Sequence, residues 1–231
     1  AGRIRGEDAV HKIKKYFSEE TNSINADVII LRHTLEHIHH PFSFIQKIAK
    51  ANNYKGHIFI EVPTFEWIFN KQAFWDIFYE HCNYFTDATL RVMFNVSESG
   101  SFFNGQYIYL WAKLAEIRES IPKQAGINTT SIQKLFSIKL KKWRNYFDKN
   151  SNVVIWGAGA KGSTFLNLLD KNKKSIKYVI DINPEKQNKY IAHTSHKIYS
   201  PKKLKTDPVQ TIIIMNENYK NEIENIINNN K

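Results

Sequence analysis

Short apolar runs recur along this chain between longer amphipathic stretches, the rhythm of strands alternating with helices. Asp27-Val-Ile-Ile-Leu31 is continuously apolar after its first residue and predicts a buried strand of a parallel sheet. Beyond Pro41, the residues Phe42, Ile45, Ile48 and Ala49 fall on one face of a helix reaching Ala51, and Gly56 interrupts it. His57-Ile-Phe-Ile-Glu-Val62 alternates and is rich in β-branched residues, so it predicts the next strand, stopped by Pro63. In the aromatic stretch from Phe65 to Phe85, the positions Phe74, Ile77, Phe78, His81 and Phe85 have the spacing of one helix face. His81 lies on that stripe, and Cys82 beside it reads as core. Gly105-Gln-Tyr-Ile-Tyr-Leu-Trp111 alternates again and predicts a late antiparallel strand.

The first domain is expected to close near Arg118, with Pro122 and Gly126 marking a loop. Ser131 then opens a connecting helix whose Ile132, Phe136, Leu140, Trp143 and Phe147 form one stripe. Val153-Val-Ile-Trp156, the glycine-rich Gly157-Ala-Gly159-Ala-Lys-Gly162, an apolar helix to Leu169 and Tyr178-Val-Ile-Asp181 read as the start of a βαβ unit. Thr211-Ile-Ile-Ile-Met215 predicts another buried strand, and Tyr219 to Ile227 a final helix. The fold class is therefore α/β, ending in a small Rossmann-like parallel unit.

Composition narrows the function classes. No apolar run approaches the roughly 20 residues that span a bilayer, and the opening AGRIRGEDAVHKIKK lacks the apolar stretch of a secretory signal, so we expect a cytoplasmic protein without membrane contact. A single cysteine, Cys82, excludes an intrachain disulfide and a cysteine-cluster zinc site. The net charge of +11 favours anionic partners. Scattered lysines suit a solvated basic surface, and a nucleotide diphosphate suits a basic face better than a specific nucleic acid does.

Three constellations can carry chemistry. Gly157, Gly159 and Gly162 sit between a strand and a helix, the first allowing a tight turn, the second a close phosphate approach, the third helix packing. Asp181 follows at about the 20 residues expected of an acid that binds a ribose hydroxyl. Lys161 at the helix start either meets a phosphate or faces water. The run Arg32-His33-Thr34-Leu35-Glu36-His37 directly follows a buried strand, at the sheet edge where open α/β folds bind ligands. His33, His37, His39 and His40 invite a metal reading, but no Asp or Cys cluster completes a site, and no metal is expected. Finally, Tyr79-Glu80-His81 sets an imidazole beside a carboxylate, which reads either as a general base or as a satisfied structural histidine.

Taken in order, these residues resemble the sugar C-methyltransferase family, which combines an amino-terminal zinc module, a class I methyltransferase domain and a Rossmann-like terminal domain. Arg32 to Ile38 with Pro41 is similar to the family's post-strand motif, and Ile60-Glu-Val-Pro63 to its next strand end. Phe74-Trp-Asp76, Tyr79-Glu-His81 and Asn83-Tyr-Phe85 resemble its catalytic segment. Trp156 to Gly162, Asp181-Ile-Asn-Pro184, Asn216-Glu-Asn-Tyr219 and Glu222-Ile223 resemble its terminal domain. The resemblance implies a partial class I methyltransferase sheet over residues 1–118, a linker and connecting helix over 119–148, and a substrate-binding domain over 149–231. It implies S-adenosylmethionine as methyl donor and a nucleotide-diphosphate sugar as substrate. His81 would be the base, oriented by Glu80 and accompanied by Tyr79, while His33 and Glu36 would line the methyl-transfer cleft. Gly105, Gln106, Gly157, Gly159, Lys161, Asp181 and Asn216 would hold the nucleotide sugar. The zinc cysteines and the glycine-rich strand end that holds S-adenosylmethionine are missing, so a truncated enzyme is expected. The family's tyrosine three residues before the histidine is Phe78 here. Two other classes compete: an NAD(P)-binding oxidoreductase-like domain, motivated by the glycines and Asp181, and a non-catalytic anion-binding module, motivated by the charge. Oligomeric state is not legible.

Overall fold

A computed structural model describes Phe17 and residues 24–122 and 129–229. Two four-stranded sheets organise them. The first contains β1 (Val28–Arg32), β2 (His57–Pro63), β3 (Glu98–Phe102) and β4 (Tyr107–Lys113) in the order β1-β2-β4-β3. β1 and β2 are parallel, joined across helix α1 (Pro41–Ala51), whereas β4 runs antiparallel to both of its neighbours. The alternation of β2 puts Ile58, Ile60 and Val62 on one face, all fully buried, where Ile45, Ile48 and Ala49 of α1 meet them. Each such aliphatic side chain stabilises the fold by about 1.5–3 kcal/mol. β3 has no apolar alternation, since Glu-Ser-Gly-Ser-Phe is polar, and the sequence pattern did not predict it.

The expected helical stripe through Phe85 does not form. α2 (Phe65–Lys71), capped by the Thr64 hydroxyl, ends where Gln72 adopts a left-handed conformation (φ 52°). A single 3-10 turn, Phe74–Asp76, follows, and residues 77–86 are irregular up to α3 (Asp87–Arg91). The aromatic residues serve two cores rather than one: Phe74 packs into the second sheet's core and Phe85 into the first, which no single helix face permits. The same irregular course turns Cys82 outward, so it is exposed and not core.

The second sheet is wholly parallel, in the order β7-β6-β5-β8, from β5 (Val153–Trp156), β6 (Ile176–Ile180), β7 (Ile198–Tyr199) and β8 (Thr211–Ile214). All four residues of β5 are buried, because both faces are covered. On one side lie α5 (Ala160–Leu169) and the stripe of α4 (Thr129–Phe147), whose Trp143 ring meets Phe165 at 5.1 Å. On the other lies Ile223 of α7 (Lys220–Asn229), and the short α6 (Lys203–Thr206) precedes β8. Among the described residues, no helix is long and apolar enough to cross a membrane.

Candidate active site

At the carboxyl end of β1 the chain kinks at His33, which has a left-handed φ of 48°, and enters the 3-10 turn Leu35–His37. A non-glycine residue holds that conformation only when its surroundings fix it. Here the Glu61 carboxylate of β2 does so, taking the Arg32 guanidinium and standing 3.0 Å from His33 Nε2, while His33 N–H donates to the Glu61 carbonyl. Glu36 is buried, with one oxygen 3.6 Å from His33 Nδ1 and the other, Oε2, without a hydrogen-bond partner. Burial pushes its carboxyl up from the usual range, against the opposing pull of its backbone, His33 and His37.

The irregular segment 77–86 closes over this turn. Cys82 N–H and Asn83 N–H both donate to the Glu36 carbonyl, and the Asn83 amide donates to Ile38. The Tyr84 hydroxyl accepts from Phe78 N–H at 2.9 Å and bridges back to its carbonyl, fixing the bend that carries His81. The His81 ring stands edge-on to His37 with centroids 4.8 Å apart. Burial pushes its pKa down to about 4, helped by His37 and His33 and opposed by Glu80. The ring is therefore neutral at ordinary pH and keeps its lone pair.

His33, Glu36 and His81 thus come together. Glu80 contributes mainly through its backbone: its carbonyl lies 2.9 Å from His37 Nδ1, while its exposed carboxylate acts on His81 through space. The Tyr79 side chain is 102% exposed and takes no part in the cluster. His37, named in the sequence only among four neighbouring histidines, meets His81 here. Its partner lies 44 residues away, and only the fold joins them.

A second site lies at the carboxyl ends of β5, β6 and β8, a cleft of about 510 Å³ lined by Gly157, Gly159, Asp181, Lys186, Met215 and Tyr219 among others. Gly157 has φ 121°, and a side chain at Gly162 would meet the Gly157 carbonyl oxygen at 2.0 Å, so both glycines are demanded by the turn itself. Gly159 is different: its nearest neighbour would be Lys186 Nζ at 4.0 Å, and the space beside it opens into the cleft. Asp181 accepts from Ala158 N–H and Asn183 N–H and lies 3.3 Å from Lys186 Nζ, so its carboxylate organises the turn. Lys161 also lines the cleft, and its ammonium stands 2.7 Å from the buried Asp76 carboxylate. Asn216 lines the cleft and accepts from Asn218 N–H. Gly105 and Gln106 are not part of this cleft. The Gln106 amide is buried and accepts from Asn218, so their turn docks the first sheet onto the terminal domain. Lys186, half-exposed, is a second lysine lining the cleft, and no sequence motif marked it.

Residues 126–229 match the family model of the C-methyltransferase C-terminal domain. The terminal domain is that of a C-methyltransferase. Residues 5–97 match the model of a methyltransferase domain, so by family resemblance the chain is a methyltransferase enzyme of α/β class, and such domains generally use S-adenosylmethionine. Among curated proteins none matches the sequence. In this chain the two sites adjoin through one residue. Phe78 lines the terminal cleft and touches the His81 ring, with centroids 4.9 Å apart.

Proposed function

We propose that this C-methyltransferase methylates the carbon beside a ketone of a nucleotide-linked sugar, with His81 as the base. The observation that carries this reading is the position of Phe78, between the terminal cleft and the His81 imidazole. A nucleotide seated in a cleft of about 510 Å³ leaves its sugar at the histidine cluster. Lys186, and the space beside Gly159, suit its diphosphate. His81 takes the acidic proton from the carbon beside the ketone, and the electron pair moves onto the carbonyl oxygen to give an enolate. The imidazolium then returns its proton to solvent. His37, fixed by the Glu80 carbonyl, holds the His81 ring in place.

The first sheet's edge fits a cationic methyl donor. Glu36 and Glu61 are buried carboxylates there, and Glu36 Oε2 is an acceptor without a partner. His33 and Glu36 would hold S-adenosylmethionine, which would supply the methyl group to the enolate carbon with cleavage of its sulfur–methyl bond, leaving S-adenosylhomocysteine. A nicotinamide dinucleotide is less well served, because the Asp181 carboxylate expected on its ribose is engaged by the turn and Lys186.

Calorimetric titration with a thymidine-diphosphate sugar tests the reading. Binding that weakens about tenfold in Lys186→Met, with a shallower salt dependence, is expected. No binding to the wild-type chain would remove the nucleotide sugar from the account.

A further inference from the structure

We propose that Glu36, His37 and His81 form a binding site for one divalent transition-metal cation of the zinc class. One ligand atom from each side chain lies within 4.8 Å of the other two. Two imidazoles and a carboxylate are a donor set that zinc accepts, with a fourth position left open. Tetrahedral coordination at about 2.0–2.2 Å places donors about 3.4 Å apart, so small side-chain rotations close the set around an ion.

Two further observations point to a ligand. Glu36 is buried, and its Oε2 is buried without a hydrogen-bond partner. An orphaned buried acceptor is costly, and a cation held by the carboxylate removes that cost. His37 Nδ1 lies 2.9 Å from the Glu80 carbonyl, which can only accept. Nδ1 therefore carries the hydrogen and Nε2 presents its lone pair, the arrangement in which a backbone carbonyl orients a metal-binding histidine. The sequence hides this set, because Glu36-His37 ends a turn after β1 and His81 arrives from the irregular segment beyond α2.

A cation bound here uses the His81 lone pair and the Glu36 carboxylate proposed for the methyl donor, and so inhibits both proton abstraction and donor binding. That consequence rests on the proposed function, whereas binding itself does not. The test therefore needs no substrate. Zn²⁺ is titrated calorimetrically into the chain and into Glu36→Gln, His37→Gln and His81→Gln variants, with circular dichroism confirming the fold. Co²⁺ titration followed by visible absorption reports coordination geometry. The expected result is one equivalent of Zn²⁺ and a tetrahedral Co²⁺ spectrum in the wild type. Each variant should weaken binding by more than the roughly 10–100-fold that loss of an outer-shell partner costs. A His39→Gln/His40→Gln chain, altered at two exposed histidines, should bind as the wild type does. Failure of the wild type to bind, one-equivalent binding retained in all three variants, or loss only in the His39/His40 chain would overturn the proposal.

Discussion

Gly159 and Gly162 occupy one short motif, yet they answer to different demands. A methyl group at Gly162 would lie 2.0 Å from a backbone oxygen, so Gly162→Ala should destabilise the chain by about 1–3 kcal/mol, read as a lower thermal midpoint. At Gly159 a methyl group meets only the end of Lys186 at 4.0 Å, so Gly159→Ala should keep the midpoint while narrowing the cleft and weakening nucleotide binding. Equal loss of stability in both would refute the distinction. Asp170 gives a residue-scale prediction in pH. Its carboxylate is buried, which alone would raise its pKa, but the hydrogen bond with His196 and the N–H groups of Ile176, Lys174 and Ser175 prevail and hold it below the usual value. The stability it contributes is thus present above the ordinary aspartate range and is lost as pH falls through the lowered value. Urea unfolding of the wild type should weaken across that acidic window, whereas Asp170→Asn should begin less stable by about 1–3 kcal/mol and show less of that slope. The turn demanded of Gly157 and the packing demanded of Gly162 were legible because near neighbours fix them, whereas Asp181, expected on a ribose, organises the turn instead. The Lys161–Asp76 pair was not legible, because its partners stand on separate sheets' elements and charge alone names no partner.

At the level of elements, continuity of apolar character was the reliable signal. β2 and β5 follow from it, since a strand buried on one or both faces must carry alternating or unbroken apolar residues, whereas β1 and β8, expected to be buried, form at sheet edges, β8 half-buried and β1 with Val28 and Ile30 exposed. β3 escaped because it pairs with β4 through backbone hydrogen bonds while its side chains are mostly polar. The aromatic stretch misled for the opposite reason: helical spacing was present, but its rings are shared between cores. Phe74 stacks on Phe165 with centroids 6.0 Å apart and is nearly buried, at 3% exposure. Phe74→Ala should therefore cost about 3–5 kcal/mol and destabilise the terminal sheet, although Phe74 precedes that sheet by many residues. Chemical denaturation followed by the fluorescence of the tryptophans would show a loss near zero if Phe74 packed only locally.

At the scale of the molecule, contacts between the two sheets' domains hold the candidate site together. Lys161 binds Asp76, Lys71 binds Glu217 at 2.7 Å, and the Asn218 amide donates to the Phe103 carbonyl and to Gln106. These fix the terminal cleft beside the bend carrying His81. The sequence did not show how the two candidate halves meet, because Phe78, noted there only in place of the family's tyrosine, joins them through the fold. Proton exchange reports, without methyl transfer, removal by His81 of the proton beside a sugar ketone. A nucleotide-linked ketosugar is incubated with the chain in deuterium oxide, and the signal of the proton beside the ketone is followed by nuclear magnetic resonance. Loss of that signal is expected with the wild type, and no loss above background with His81→Asn. Exchange at an unchanged rate in the variant would contradict that role of His81.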